Sequence, residues 1–393
     1  MCDNSPAVSL SLSVPEGEKE ESAQEKRAVP VVFCADAVYG AYLPVTVQSV
    51  IANSSAENHY RLIILDCGIG ADILAAIAEQ IGAHANFSLE VKNIRAWLAA
   101  HSQIFHEPLY FTKAIYGRLI IPEILPDCAK VIYADSDMVL NRDIAELMAI
   151  SLGDNYIAAV EDCLLEIDCL LGQKRARSIT EAAGLAANDK YINSGLLVFN
   201  AALWRRDGLT QKILCFMAGK ELILPDQDAI NAVCKARIHY LPLAWNCLSE
   251  YYLASRLKQI AALKSALPRA DEIMAAWQAA LAAKNNVLHY NGPLKPWAQA
   301  RFASFLRWWD YAAQTKLYSR YIYDLAVAPP AQDNKLKIWK VLGMPLLAVK
   351  ARPGQSFYLL GGRWRIAKKI ISKDSISYYI FGIKLLTLIN KEL

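Results

Sequence analysis

The sequence predicts an α/β protein whose sheet is parallel or mixed, with helices on both faces. Two observations carry this expectation. Short apolar runs of strand length alternate with helical stretches of about ten residues, the pattern that buries a sheet between helical layers. The chain is also long enough for a large core: 393 residues, 54% of them apolar and only 20% charged, which excludes a disordered polyelectrolyte.

The elements are read in order. Residues 1–28, rich in Ser, Glu and Lys with six acidic and three basic side chains, are expected to be a disordered tail. VVFCA (31–35) reads as a buried strand ending at Asp36, and 42–52 as a helix with Val45, Ser49 and Ala52 on one face. RLIILD (61–66), FSLEV (87–91), KVIYAD (130–135), YIAAVED (156–162) and NSGLLVFN (193–200) read as further strands, with a helix at 71–81. Residues 163–190 carry few strand signals and read as a helical insertion or a loop. One alanine-rich helical stretch is expected near 256–283. Trp297, Phe302, Phe305, Trp308, Trp309 and Tyr311 recur at spacings of three and four, so 301–330 is expected to be an amphipathic helical segment packed on the main domain, 29–300.

The last segment differs in kind. Residues 335–393 hold twelve Lys or Arg against two acids, a net of +10, while the whole chain carries +4. WKVLGMPLL (339–347), FYLLGGRWR (357–365) and YYIFGIKLL (378–386) each place an aromatic four residues before a Gly (Trp339/Gly343, Phe357/Gly361, Tyr378/Gly382). Such a unit makes short hairpins turning at Gly. Region 331–393 is read either as an attachment to an anionic membrane surface or as a β add-on with a solvated basic face.

Nine cysteines are scattered without a CxxC pair, which favours reduced thiols and a cytosolic chain. No signal peptide and no apolar run long enough to span a membrane is read. No recognition-helix or zinc motif is present, which argues against nucleic-acid partners, and no GxxxxGK or GxGxxG loop lies near a strand end, which leaves a nucleotidyltransferase without support.

In an open α/β sheet, ligands bind beyond the carboxyl ends of the strands. Among the apolar runs that end in Asp are those at Asp36 and Asp135. After the second comes Asp135-Ser136-Asp137, two carboxylates able to converge on one hard cation, Mn²⁺ or Mg²⁺. Asp226-Gln227-Asp228 follows Pro225 instead and reads as a helix start. In VLHYNGPLKPW (287–297), His289 is read as a third metal ligand or a structural histidine, and Lys295 as a cation able to neutralise phosphate.

Six ordered motifs resemble the bacterial retaining glycosyltransferases of family 8, the galactosyl- and glucosyltransferases of lipopolysaccharide synthesis. They are FCADAVYGAYLPVTVQSV (33–50), YGRLIIPEILP (116–126), VIYADSDMVL (131–140), YINSGLLVFN (191–200), LPDQDAIN (224–231) and HYNGPLKPW (289–297). The resemblance spans about Val31 to Trp297. It implies the GT-A fold, a UDP-hexose donor, Mn²⁺ and a saccharide acceptor. On that resemblance Asp135, Asp137 and His289 fall on metal ligands. Asp36 and Tyr39 fall on uracil contacts, and Arg118 on the donor's phosphate and sugar. Asp162 and Asn193 fall on donor-sugar contacts, and Asp226 and Gln227 on the residues that orient the transferred sugar. Gly292 and Lys295 fall on diphosphate contacts. Gln227 is an amide and a poor nucleophile, so same-face attack is expected, with its carbonyl stabilising the positive sugar. The chain departs from the family at Ala37 and Val38, where a second acid and an Asn are common. The basic end fits a lipid-linked acceptor and an enzyme peripheral to the inner face of the cell membrane. The alternatives are a transferase acting on a protein or a soluble sugar, and an inactive nucleotide-sugar-binding scaffold.

Overall fold

The computed structural model describes residues 27–106, 112–186, 189–263, 267–299 and 302–327, together with the strand backbones between 336 and 389. The strands of the main body are β1 (Arg27–Ala35), β2 (Asn58–Asp66), β3 (Phe87–Asn93), β4 (Lys130–Ala134) and β5 (Met138–Leu140). They continue as β6 (Ile157–Glu161), β7 (Ile192–Asn200), β8 (Ile238–Leu241), β9 (Cys247–Leu248) and β10 (Val287–His289). Seven make one mixed sheet in the order β3-β2-β1-β4-β7-β6-β8, and β5-β10-β9 make a small second sheet. β3, β2, β1 and β4 run parallel, and β7 is antiparallel to both its neighbours.

Helices cover both faces of the large sheet. Val32, Cys34, Ile63, Leu65 and Tyr133 bury into one layer. The alternate residues Val31, Phe33, Leu62, Ile64 and Ile132 bury into the other. A strand buried on both faces reads as a continuous apolar run, which is why VVFCA and RLIILD are legible. The helix over Leu43–Ala52 and the one over Ala71–Gly82 lie where the spacing expects them.

Three expectations need correction. β1 begins at Arg27, two residues inside the segment read as a tail, because Arg27 and Ala28 continue the parallel register with Asn58 and His59. Both residues are exposed, so backbone pairing and not burial extends the strand. The aromatic segment is two helices, Ala303–Ala312 and Tyr318–Val327, rather than one. Between them the Thr315 hydroxyl donates to the Ala312 carbonyl at 2.8 Å, a local bond that competes with helix propagation. Both helices pack on the body, and Phe305, Trp308, Tyr321 and Leu325 cluster with Val45, Leu288 and Tyr290. The alanine-rich stretch is likewise two helices, Glu250–Ala261 and Pro268–Ala282, the second opened by its proline at the first turn.

The segment after Asp162 is helical: Cys163–Leu170 and Lys174–Ala182. It leaves and rejoins the sheet at neighbouring points, since the Asp162 amide donates to the Tyr191 carbonyl at 2.8 Å. Beyond the body, β11 (Leu336–Val341), β12 (Met344–Arg352), β13 (Gln355–Leu360), β14 (Trp364–Ile371), β15 (Ser375–Ile380) and β16 (Ile383–Ile389) form an antiparallel meander. The register shifts once in each of the hairpins β11–β12, β13–β14 and β15–β16, at Trp339/Lys340, Tyr358/Leu359 and Tyr378/Tyr379. The glycines expected at their turns lie outside the described residues.

Candidate active site

The site is assembled where β4 ends. The Asp135 amide donates to the Gly195 carbonyl at 2.8 Å, and the chain turns through Ser136 into β5, so Asp135 and Asp137 leave the same strand end. β10 pairs antiparallel with β5 in a register that sets His289 opposite Met138. The Tyr290 amide then donates to the Asp137 carbonyl at 3.0 Å. Long-range pairing thus brings His289 to the two carboxylates. Its Nε2 lies 3.4 Å from Asp137 Oδ1 and 3.7 Å from Asp135 Oδ2.

The imidazole is held by a partner that the sequence does not reveal. Asn246 Nδ2 donates to Asn193 Oδ1 at 2.9 Å, which turns Asn246 Oδ1 toward His289 Nδ1, also at 2.9 Å. That oxygen needs a donor, so the hydrogen-bond network assigns the ring proton to Nδ1. The Nε2 lone pair therefore faces two carboxylate oxygens, an arrangement that repels unless a cation lies among them. The ligand atoms of Asp135, Asp137 and His289 all lie within 4.8 Å of one another. Two hard oxygens and one imidazole nitrogen, its tautomer fixed by the Asn246 carbonyl, fit a divalent ion such as Mn²⁺.

Two buried cations flank this cluster. Lys295 Nζ donates to Asp137 Oδ2 at 2.5 Å and to the Tyr290 carbonyl at 2.8 Å, and lies 5.1 Å from the Tyr39 ring centre. Arg118 donates to Asp135 Oδ1 at 2.7 Å and to the Ser194 carbonyl at 2.6 Å, with Asp226 Oδ2 at 3.2 Å. Burial alone would push the Asp137 carboxyl up, but Lys295 and His289 outweigh it and hold it well below the usual range. Asp135 goes the other way: burial raises it, and the adjacent Asp137 adds to that against Arg118. One acid is locked ionised while its neighbour gains from any positive charge placed between them.

A distortion of β7 supplies the next layer. Its pairing with β6 jumps from Ala159↔Leu197 to Val160↔Asn193, so Ser194, Gly195 and Leu196 swell out of that ladder. The swelling brings Asn193 and Ser194 against the helix Pro225–Cys234. Asn193 Nδ2 and Gln227 Nε2 both donate to Asp162 Oδ2 at 3.3 Å. The Asp162 Oδ1 caps its own helix through the Leu165 amide at 3.0 Å. Among the described residues Asp162 has no cationic partner, and burial raises its pKa. The Gln227 carbonyl differs from expectation. Its Oε1 accepts from the Ser194 amide at 2.9 Å, while the one proton of the Ser194 hydroxyl is shared out between that oxygen at 3.2 Å and Asp226 Oδ2 at 3.1 Å, so at least one Gln227 lone pair is engaged inside the protein. Because the Ser194 amide can only donate, flipping the Gln227 amide would set donor against donor.

Tyr39, Arg118, Asp135, Asp137, Asp162, Asn193, Asp226, Gln227, His289, Gly292 and Lys295 line one cavity. Asp36 is not among the lining residues. It caps the short helix Ala37–Gly40, with Oδ1 accepting from the Val38 and Tyr39 amides, and so sets the start of the Tyr39 turn. Gly292 is required by its backbone, with φ at +87° and the Tyr252 ring where a side chain would go. Asp228, read as a helix-start residue, is one: it accepts from the Ile223 and Leu224 amides and the Tyr191 hydroxyl. Sequence reasoning missed Asn246 and the structural part of Ser194. Asn246 has no motif around it, while Ser194 sits in YINSGLLVFN, where its place beside Gly195 was the available signal.

A mixed sheet with a paired-acid turn beyond its central strand, covered by helices on both sides, is the GT-A architecture of glycosyltransferases. The family model "Glycosyl transferase family 8" matches residues 30–301, and the chain belongs to that family. General stress protein A of Bacillus subtilis is 27% identical over 234 residues, which make up 58% of this chain and 76% of that protein. Lipopolysaccharide 1,2-glucosyltransferase of Escherichia coli is 22% identical over 305 residues, 75% of this chain and 80% of that one. Among solved structures, galactosyltransferase LgtC in complex with donor and acceptor sugar analogs superposes with a TM-score of 0.55 at 25% identity. That match covers 73% of this chain and 96% of LgtC. The bifunctional glycosyltransferase WbbM shares the fold, with a TM-score of 0.64 at 22% identity over 77% of this chain and 52% of its own.

Proposed function

We propose that this chain is a metal-dependent, retaining hexosyltransferase that moves galactose or glucose from a UDP-sugar to a saccharide acceptor. The observation that carries the reading is the convergence, in one cavity, of the Asp135–Asp137–His289 cluster with two buried cations. Asp135, Asp137 and His289 would hold Mn²⁺ or Mg²⁺, which when bound would supply Lewis-acid neutralisation of the departing diphosphate. Lys295 adds a fixed positive charge beside Asp137, already oriented by the Tyr290 carbonyl and so needing no reorganisation. Tyr39 offers its ring to the base, next to Lys295, and Gly292 lets the backbone approach the phosphates. Arg118 joins the metal side to the sugar side by bonding Asp135 and approaching Asp226.

At the sugar, Asp162 is the group suited to offset developing positive charge. It is an uncompensated carboxylate held in place by Asn193 and Gln227. Gln227, with its carbonyl engaged by Ser194, positions that carboxylate and is a poor nucleophile. We therefore favour attack by the acceptor on the face the diphosphate leaves, with Asp226 orienting the sugar. The acceptor is proposed to be a lipid-linked saccharide of the lipopolysaccharide core. The basic segment 331–393 would then hold the enzyme against the anionic inner face of the cell membrane. No helix among the described residues is long and apolar enough to cross a membrane.

The test is hydrolysis of a panel of UDP-sugars with and without Mn²⁺, on wild type and Asp137→Ala. Manganese-dependent UDP release from one hexose donor, lost in the variant, is expected. UDP binding with no turnover of any donor or donor–acceptor pair would leave the inactive-scaffold reading, which Ala37 and Val38 favour. Removing 331–393 is expected to abolish sedimentation with anionic liposomes, and undiminished sedimentation would refute the membrane role.

A further inference from the structure

The charges lining the cavity pair off almost completely. Among the described residues there are five aspartates (Asp135, Asp137, Asp162, Asp168, Asp226) and four cations (Arg118, Arg175, Arg256, Lys295). Arg118 serves Asp135 and Asp226, and Lys295 serves Asp137. Arg256 grips Asp168 with two bonds, at 2.5 and 2.7 Å, and Gln173 adds a third at 2.9 Å. Two groups are left. Asp162 is buried at the sugar end. Arg175 is exposed, and its side chain makes no hydrogen bond or ion pair with any described residue.

Arg175 is well placed for a ligand other than the nucleotide. The Tyr39–Lys295 contact marks one end of the cavity. From there polar contacts run through Asp137, His289, Asn246, Asn193 and Asp162, which caps the helix Cys163–Leu170, and Arg175 sits on the helix that follows, Lys174–Ala182. Its helix is anchored, since Ala176 and Ile179 bury against Leu165 and Tyr191. The same first turn carries Lys174 and Arg177 and no acid, so positive charge stands where the helix dipole disfavours it. A guanidinium without a partner among the described residues, on an anchored helix that lines the same cavity, matches an oxyanion in charge and hydrogen-bonding geometry.

We propose that Arg175 receives an anionic substituent, a phosphate monoester or a carboxylate, on the acceptor saccharide. The proposal rests on the transferase reading above and adds the charge class of the acceptor. Calorimetric titration of the full chain, loaded with Mn²⁺ and UDP, tests it with four probes: glucose, glucose 6-phosphate, glucuronate and inorganic phosphate. At least one charged sugar is expected to bind about tenfold or more tightly than glucose, a preference lost in Arg175→Ala and partly kept in Arg175→Lys. Which sugar wins separates phosphate from carboxylate. Equal affinity for all three sugars, or a preference that survives Arg175→Ala, overturns the proposal. So does inorganic phosphate matching the best sugar, which would mark a bare anion site. Weakened UDP binding in Arg175→Ala would also overturn it, by assigning the arginine to the donor. Repeating the titration without UDP keeps the two readings apart. Absence of turnover with every UDP-sugar would defeat the transferase reading, while an Arg175-dependent preference would leave the anion subsite standing.

Discussion

Replacing Asn246 by Ala isolates what the imidazole's orientation is worth. Asn246 is fully buried and makes two bonds, accepting from His289 Nδ1 and donating to Asn193 Oδ1, both at 2.9 Å. Asn193 Oδ1 keeps the Gly195 amide at 3.0 Å, so its loss is partial. His289 Nδ1–H is left without a partner, at a cost of about 1–3 kcal/mol. The ring escapes that cost by moving its proton to Nε2, which then bonds Asp137 but no longer offers a lone pair to a metal. Loading Mn²⁺ must reverse the shift, so affinity is expected to fall by about 10–100-fold, equivalent to roughly 1.4–2.7 kcal/mol. Electron paramagnetic resonance of free Mn²⁺ during titration reads this directly. Asn246→Asp retains the acceptor, so Mn²⁺ affinity should return. Its melting temperature should still drop, because a carboxylate then faces Asn193 Oδ1. A folded Asn246→Ala chain with wild-type Mn²⁺ affinity would refute the reasoning.

Three further outcomes are expected. In Gly195→Ala, the new methyl would lie 2.8 Å from His289 Nδ1 and 3.0 Å from Asn193 Oδ1. The imidazole must move, so Mn²⁺ binding should weaken severely at a stability cost of only about 1–3 kcal/mol, and a well-folded variant with normal Mn²⁺ affinity would count against the cluster. Burial pushes Asp228 up to about 6 from 3.8. A raised acid stabilises the fold below its unfolded pKa and loses that contribution as pH rises through its folded value. Wild type should therefore lose roughly 3 kcal/mol between about pH 4 and pH 7 that Asp228→Asn does not, and parallel denaturant midpoints across that range would contradict this. Val38 is 62% exposed in the turn capped by Asp36. Val38→Asn should tighten UDP binding by one hydrogen bond, about 0.5–1.5 kcal/mol, and an unchanged dissociation constant by fluorescence titration would place residue 38 away from the nucleotide.

Much of the sheet was readable because its strands are buried on both faces and announce themselves as apolar runs. The strands that escaped are short or lie at edges: Met138–Leu140, Ile238–Leu241, Cys247–Leu248 and Val287–His289. Three of those four form the small sheet that carries His289 to Asp137. The motif VLHYNGPLKPW therefore pointed to the histidine but not to the pairing that positions it. Asp135 and Asp137 were legible because they end an apolar strand. Asn246 was not, since its role depends on a contact 43 residues away in the chain with His289. The orientation of Gln227 was likewise hidden, because which lone pairs remain free is settled by the Ser194 amide across the β7 distortion. Helix breaks were read less well than helices. Thr315 and Pro268 end or open helices that periodicity alone runs together.

The helical segment between Asp162 and Tyr191 departs from and returns to adjoining backbone positions. Its ends are already closed by the sheet, so changing its length adds little chain-closure entropy: each doubling of a loop costs only about 0.6 kcal/mol. Length changes beyond the packed faces of these helices can then leave the paired ends at Asp162 and Tyr191 in place. Descendants of one ancestral catalyst could in this way acquire new acceptors by resizing a pair of helices, while the chemistry is inherited intact.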